Sequence, residues 1–451
     1  MINAGWLRGL EARGVRRALV DGEVALSYMQ VAQKVRDLAT HFIQSGIAPG
    51  HVVVLHGNYS ANGVLALLAL AAIKAIVAPV TNLTSSVEET LKVSCDASFM
   101  IRAFEDVVVE SCSGQSRHLL YSSLKARGAA GLILLSSGST GRPKAILHDL
   151  DKLIAEKDKE SRGRQLVVIL FLMFDHIGGV NTLINILFSG NCAVVVRERT
   201  PDAVCRELEL QQVQVLPANP TFLNLLRLGD FHQRYDLSAL RLITYGTEAM
   251  PAQLLVYLRE IFPRVRLLQT FGTSETGIAG TQSASSQSTR FKIVDESFEY
   301  RIVAGELQLK SPSQFLGYLN VENTSLTEDG WFRTGDLAES GSDGEIQILG
   351  RMNEVINVGG EKVLPIEVES LLLACPLVQD CLVYGISNAI TGQAVGVNVK
   401  PAYPISAEGL RKAIMDFLAG KLERFKMPVR VRMVDEIAVS ERAKKKRNVE
   451  R

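Results

Sequence analysis

The feature that most constrains this chain is an alternation of short β-branched runs with segments of helical period, sustained from the N-terminus to about residue 285. Residues 28–46 carry Val31, Ala32, Val35, Leu38, Ala39, Phe42 and Ile43 at helical spacing. Gly46 ends that helix, and Pro49-Gly50 turns the chain into HVVVLHG. LILLSSG, QLVVILFLMF, CAVVVR, VQVLPA, LRLITYG and VRLLQTFG then read as strands. VNTLINILFS, PDAVCRELEL, TFLNLLRLG and AQLLVYLREIF read as the helices between them. Strands alternating with helices predict an α/β architecture with parallel-rich sheets. From about residue 285, FEYRIVAGELQLK and GEIQILGR read as antiparallel hairpins with glycine turns, a small β-barrel-like portion. Beyond them EVESLLLAC, CLVYGI, AVGVNVKPA, LRKAIMDFLAG and VRVRMVDEI fill about 100 residues, enough for a smaller α+β domain. The boundary is expected near residues 351–353, which divides the chain into 1–352 and 353–451.

Composition narrows the class. At 47% hydrophobic and 22% charged residues the chain is globular and not disordered. Lys plus Arg total 49 and Asp plus Glu 48, so the net charge of +1 argues against a nucleic-acid coat or a polybasic membrane protein. The balance is an average: residues 421–451 hold 11 Lys/Arg against 5 Asp/Glu. The six cysteines are scattered without a Cys-x-x-Cys pair, as expected for free thiols in a reducing compartment. The N-terminus places charges where a signal peptide has its apolar stretch. The most membrane-like run, residues 63–80, contains Lys74 and Pro79 and is expected to be a buried helix leading into a strand. A cytoplasmic protein with no membrane or nucleic-acid partner is expected; oligomeric state is left open.

Chemistry concentrates in a few loops. LSSGSTGRPKA, residues 135–145, follows a strand with a turn of hydroxyls and glycines. It exposes backbone N–H groups in a concavity suited to phosphate oxygens, and Lys144 adds a point charge. It is not the Gly-Lys-Ser/Thr loop of common NTPases, because the second glycine and the lysine are not adjacent. QTFGTSETG (269–277) offers Glu275, a carboxylate suited to a hard cation such as Mg²⁺. GWFRTGDLAE (330–339) offers Asp336, suited to a ribose diol. GRMNEVINVGGEKVLPIEVE (350–369) brings Arg351 and a Gly359-Gly360 turn, and AVSERAKKKR (438–447) is a basic loop. Each also has a plain reading as turn residue, surface acid, structural ion pair or solvated tail.

Taken in order, these segments resemble the adenylate-forming enzymes: acyl- and aryl-CoA ligases, peptide-synthetase adenylation domains and luciferases. The resemblance covers nearly the whole chain and is strongest to a stand-alone acyl-CoA ligase. It implies ATP-dependent activation of a small carboxylic acid as an acyl-adenylate, with release of pyrophosphate. Transfer to a thiol follows, that of CoA or of the phosphopantetheine arm of a separate carrier protein, with Mg²⁺ as the metal.

Residue by residue, the resemblance implies that Ser136, Ser137, Gly138, Ser139, Thr140, Gly141 and Lys144 cradle the β- and γ-phosphates. Thr273 would contact the α-phosphate and Glu275 would hold Mg²⁺. Gly246, Thr247 and Glu248 would line the adenine pocket, with Phe271, beside Gly272, stacking on the base. Asp336 would bind the ribose hydroxyls and Arg351 would support ribose and phosphates. Lys444 matches the lysine that bridges the carboxylate and the α-phosphate. A mobile smaller domain is implied, with its hinge at Asn353 and with Gly359 and Gly360 beside the thiol channel. The family pattern is departed from at Asn353, at Ala145 after Lys144, and at Ala438 and Ala443 in the lysine loop.

The acid pocket falls in FLMFDHIGGVNTL (171–183). There His176 resembles the CoA ligases, while Phe174-Asp175 resembles amino-acid-activating relatives whose aspartate pairs with an α-amino group. Ile177, Asn181 and Tyr245 complete the expected pocket, whose mixture suggests a medium apolar or aryl acid. Two alternatives accompany this reading: amino- or aryl-acid adenylation with delivery to a carrier protein or another nucleophile, and a non-catalytic nucleotide-binding relative.

Overall fold

A computed structural model describes residues 4–136, 143–157, 164–283, 285–286, 288–341, 343–440 and 445. The alternating part folds into two seven-stranded sheets. In the first, Arg266–Gln269, Leu242–Tyr245, Val215–Ala218, Val167–Leu170, Cys192–Val195 and Arg17–Asp21 run parallel, and Val24–Ser27 closes one edge as a hairpin. In the second, Gly131–Ser136, Ile76–Val80, Val52–Gly57 and Phe99–Ala103 form a parallel centre, with antiparallel strands added on both sides.

Helices fill the space between the sheets. Tyr28–Gln44 starts at a reciprocal cap, in which Ser27 accepts from the Gln30 amide and Gln30 accepts from that of Ser27. Its apolar stripe joins a core that takes residues from both sheets. The membrane-like run resolves into the helix Ala61–Ala72 and the strand Ile76–Val80. That helix is buried from Gly63 onward, which is why it is apolar all round. Lys74 sits in the turn between them at φ +62° and pairs with Asp151 at 2.7 Å. No described helix is long and apolar enough to cross a membrane. All six cysteines are free thiols.

The expected barrel-like portion is a six-stranded antiparallel sheet. Its edges are Thr281–Ser283 and Glu299–Val303. The C-terminal part is a five-stranded sheet packed on the helices Pro365–Leu373 and Ala407–Leu418. Its two long strands, Val378–Asn388 and Gly392–Pro401, form one hairpin, a difference from the βα reading. The hairpin turn is short, so no helix intervenes; only Gly392–Pro401 with Arg430–Met433 pairs in parallel, across the helix. This part meets the rest through Arg227, whose guanidinium lies 4.9 Å from the centre of the Tyr257 ring and donates to the Gln379 carbonyl at 3.0 Å. Tyr257 itself donates to the Leu373 carbonyl at 3.2 Å.

Candidate active site

Three neighbouring parallel strands end side by side on one cleft: Val215–Ala218, Leu242–Tyr245 and Arg266–Gln269. Such carboxyl ends are where open α/β sheets bind ligands. The loops beyond them carry Gly246, Thr247, Glu248, Phe271 and Gly272 into a cavity of about 240 Å³. A Cβ at Gly246 would stand 2.6 Å from the Thr270 carbonyl oxygen, so the close approach of the two loops requires glycine. Thr247 is held at φ +68°, a left-handed conformation that costs a β-branched residue energy and gathers at functional sites. Glu248 accepts from the Thr221 hydroxyl at 2.8 Å and its amide at 3.3 Å, in the first turn of the helix Pro220–Leu228. The Phe271 ring stacks on Phe291 with centroids 5.7 Å apart.

The facing wall belongs to the antiparallel sheet. Asp336 lies opposite Arg351 in the strand pair Phe332–Ser340 and Ile346–Arg351, and their side chains pair at 2.9 Å. Asp336 is 5% exposed, whereas the Arg351 side chain is half exposed, so the pair orients the carboxylate more than it stabilises the fold. Arg351 also donates to the Thr334 carbonyl at 2.8 Å. The helix Pro365–Leu373 and Lys445 roof the cleft. Lys445 is buried, pairing with Asp380 at 2.7 Å and donating to the Cys381 carbonyl at 2.6 Å. Asn353 lies in an exposed single turn between the two parts of the chain. Gly359 and Gly360 form an exposed turn at φ +63° and +97°.

A second cluster gathers the expected phosphate and metal residues. Ser136 and Lys144 lie opposite each other in a strand pair. The Lys144 ammonium sits 5.4 Å from the centre of the Tyr318 ring, and the Tyr318 hydroxyl donates to Glu275 at 2.8 Å. Burial, then the Glu275 charge, pushes the Tyr318 phenol upward and keeps it a neutral donor. Ala145 is fully buried in strand pairing with Leu135, a backbone state that asks for no glycine. Thr273 is buried, its hydroxyl accepting from the Glu275 and Thr276 amides at 3.2 and 3.1 Å, and it does not line the cleft. Ser137, Gly138, Ser139, Thr140, Gly141 and Lys444 lie outside the described residues.

His148, unremarked in the sequence, fixes the Glu275 loop. Its Nε2 lies 2.7 Å from the Ser274 carbonyl, so that nitrogen carries the proton. Burial lowers its pKa to about 4. Between about pH 6.5 and 4 the unfolded chain therefore binds a proton that the folded chain refuses. Stability is expected to fall as pH falls through that window and to be insensitive to this group above it. His148→Gln should flatten that slope in urea unfolding; an unchanged slope would remove the assignment.

The acid pocket is a small cavity lined by Phe171, Met173, His176, Arg199 and Thr247 among others, and Thr247 belongs to both cavities. His176 precedes the helix Ile177–Phe188. A Cβ at Gly179 would overlap the Met173 carbonyl at 1.8 Å, which gives that glycine a steric reason. Asp175 is turned away: its Oδ2 accepts from the Thr81 amide at 3.2 Å and hydroxyl at 2.6 Å. Asp175, Ile177, Asn181 and Tyr245, expected in the pocket, do not line either of these two cavities. Ile177 and Tyr245 are buried in the hydrophobic cores, because helix and strand periodicity turns them inward. Arg199 and Tyr318, which sequence reasoning missed, lie at these sites without a local signal of their own.

Comparisons with known proteins agree with this geometry. Residues 8–319 match the family model described as AMP-binding enzyme, and residues 367–444 match the AMP-binding enzyme C-terminal domain. The chain is 26% identical to an indoleacetate–CoA ligase of Aromatoleum aromaticum, over 91% of this chain and 90% of that one. It resembles the crystal structure of an anthranilate CoA ligase in complex with anthranoyl-AMP at a TM-score of 0.81 and 21% identity, covering 97% and 95% of the two chains. An amide bond synthetase from Marinactinospora thermotolerans superposes at 0.79 with 21% identity, covering 98% of each chain. The chain belongs to the AMP-binding enzymes, the adenylate-forming superfamily, as an acyl-CoA ligase-like member.

Proposed function

We propose that this chain is an AMP-forming acid–thiol ligase that activates a small carboxylic acid and passes it to the thiol of CoA. The observation that carries the reading is that two cavities share Thr247 as a wall: one lined by Gly246, Phe271, Asp336 and Arg351, the other by His176. An acid seated beside His176 would present its carboxylate to the α-phosphate of a nucleotide in the larger cleft. A carboxylate oxygen attacks that phosphorus, the bond to the pyrophosphate oxygen breaks, and pyrophosphate leaves. The thiolate then attacks the acyl carbon, the bond to AMP breaks, and the thiol proton passes to solvent.

In this reading Phe271 faces the adenine and Asp336 accepts from the ribose hydroxyls, while Ser136 and Lys144 hold the outer phosphates together with residues 137–141. Holding reactants in line is most of what such phosphoryl chemistry asks of a protein. Glu275 is the carboxylate offered to Mg²⁺. One of its oxygens is oriented by Tyr318, and Mg²⁺ ordinarily takes one or two carboxylates together with substrate phosphates. When bound, the ion would neutralise phosphate charge. Asn353 is the proposed hinge, dividing the chain into 1–352 and 353–451, with Gly359 and Gly360 beside the thiol path.

The test is exchange of labelled pyrophosphate into ATP over a panel of fatty, aryl, hydroxy, dicarboxylic and amino acids, followed by addition of CoA. Acid-dependent exchange and a CoA thioester are expected. Exchange with amino acids alone would move the pocket to Asp175, and adenylate consumed by an amine or a carrier protein but not by CoA would replace the acceptor. ATP binding with no exchange for any acid would leave a nucleotide-binding relative without catalysis.

A further inference from the structure

The small cavity beside His176 has one cationic wall. Arg199 follows the strand Cys192–Val195 and lines the cavity together with Met173 and His176. Its guanidinium is fixed on two edges: Nε donates to the Phe171 carbonyl at 2.8 Å and Nη2 to Asn58 Oδ1 at 3.1 Å. Among the described residues no carboxylate forms an ion pair with it, and its hydrogen bonds run from Nε and Nη2, with none from Nη1. Asp175 acts on Arg199 through its charge without forming an ion pair: its Oδ2 accepts from Thr81, and its Oδ1 is buried without a hydrogen-bond partner. Tyr59, also near, is buried and held neutral because burial pushes its phenol upward.

A partly desolvated arginine held by neutral acceptors, with no carboxylate paired to it, keeps capacity for an arriving anion. One backbone carbonyl and one side-chain amide oxygen anchor it, and a pre-organised planar donor loses little freedom on binding a carboxylate. The other described walls are apolar at Phe171, Leu172, Met173 and Gly178 and polar at His176, Asn219 and Thr247, so among the described residues lining the cavity Arg199 is the permanently charged one. The cavity is about 30 Å³ by a measure in which a single water needs about 10–15 Å³. The tail is therefore short.

We propose that Arg199 is a specificity-determining residue that binds a second carboxylate at the far end of the acid, so that the substrate class is a short dicarboxylic acid. This rests on the proposed acid activation and refines the apolar or aryl acid expected from sequence. The activated carboxylate lies at the Thr247 junction and the distal one on Nη1 of Arg199, so the two ends of the substrate are told apart by what each meets.

The experiment pairs acids of equal chain length: malonate with propionate, succinate with butyrate, glutarate with valerate. Pyrophosphate exchange gives kcat/KM for each, and calorimetry on the AMP-loaded protein gives binding that needs no turnover. At least one diacid should exceed its monoacid partner by about ten- to a hundredfold, the range of a charge-assisted hydrogen bond. In Arg199→Met the diacid-to-monoacid ratio should fall at least tenfold, and in Arg199→Lys, which keeps charge but not the fork, by less. A ratio is unaffected by any fraction of variant that fails to fold. Monoacids equal to or better than diacids, or a ratio that Arg199→Met leaves unchanged, would overturn the assignment. Should exchange fail for every acid while calorimetry still favours the diacid through Arg199, the binding assignment stands and only catalysis is lost.

Discussion

Lys444→Ala will slow adenylation by about 10²–10³-fold while leaving thiolysis of a supplied acyl-adenylate near its original rate. The magnitude is that of removing one electrostatic donor aimed at developing charge. Adenylation brings a carboxylate against an already anionic triphosphate, and a cation is needed between them. Thiolysis separates a neutral thioester from AMP and has no such need. The neighbouring Lys445 lines the cleft roof and is committed to Asp380, which leaves it poorly placed to substitute. Exchange of pyrophosphate reads the first half, and CoA-dependent consumption of synthetic acyl-adenylate reads the second. Equal loss in both would contradict the role.

Asp336→Ala should weaken ATP binding by about 100-fold or more. A carboxylate accepting from two ribose hydroxyls makes two charge-assisted hydrogen bonds, each about 1.5–3 kcal/mol. Asp336 is buried and held by Arg351, so it needs no reordering to accept them. Asp336→Asn keeps the shape and should lose less. The readout is nucleotide affinity by calorimetry, with AMP as a second ligand that shares the ribose but lacks the outer phosphates. Comparable losses for ATP and AMP are expected; an unchanged affinity for both would remove the ribose contact.

Much of the fold could be read from periodicity because burial imposes it. The run at 63–80 is apolar on every side because it lies between two sheets, and its one lysine falls in the turn, where Asp151 meets it. The hairpin of Val378–Asn388 with Gly392–Pro401 was harder to see, since strands rich in valine look alike whether their neighbour is parallel or antiparallel. At the site, glycines and acids in loops stood out: Gly246, Thr247, Glu248, Phe271, Asp336 and Arg351 line one cleft. Residues whose role depends on distant partners did not stand out. His148 matters through Ser274, 126 positions away, and Arg199 through Asn58, 141 positions away. Ile177 and Tyr245 adjoin the cavity-lining His176 and Gly246 in sequence, yet the helix and strand that carry them point them into the cores.

The roof over the cleft has a consequence for side reactions. An acyl-adenylate is a mixed anhydride, and water at roughly bulk concentration competes with any thiol for its acyl carbon. The helix Pro365–Leu373 stands between that carbon and solvent, and it is moored to the large domain through hydrogen bonds of Arg227 to the Gln379 carbonyl and Tyr257 to the Leu373 carbonyl. Bonds of this kind contribute about 1 kcal/mol each, weak enough to be broken once per cycle in the proposed domain movement. On that proposal the mooring would set a lifetime: long enough, and the intermediate waits intact for its acceptor; too long, and turnover is limited by release. Arg227 and Tyr257, far from any reacting atom, would then govern how much ATP is spent per thioester delivered.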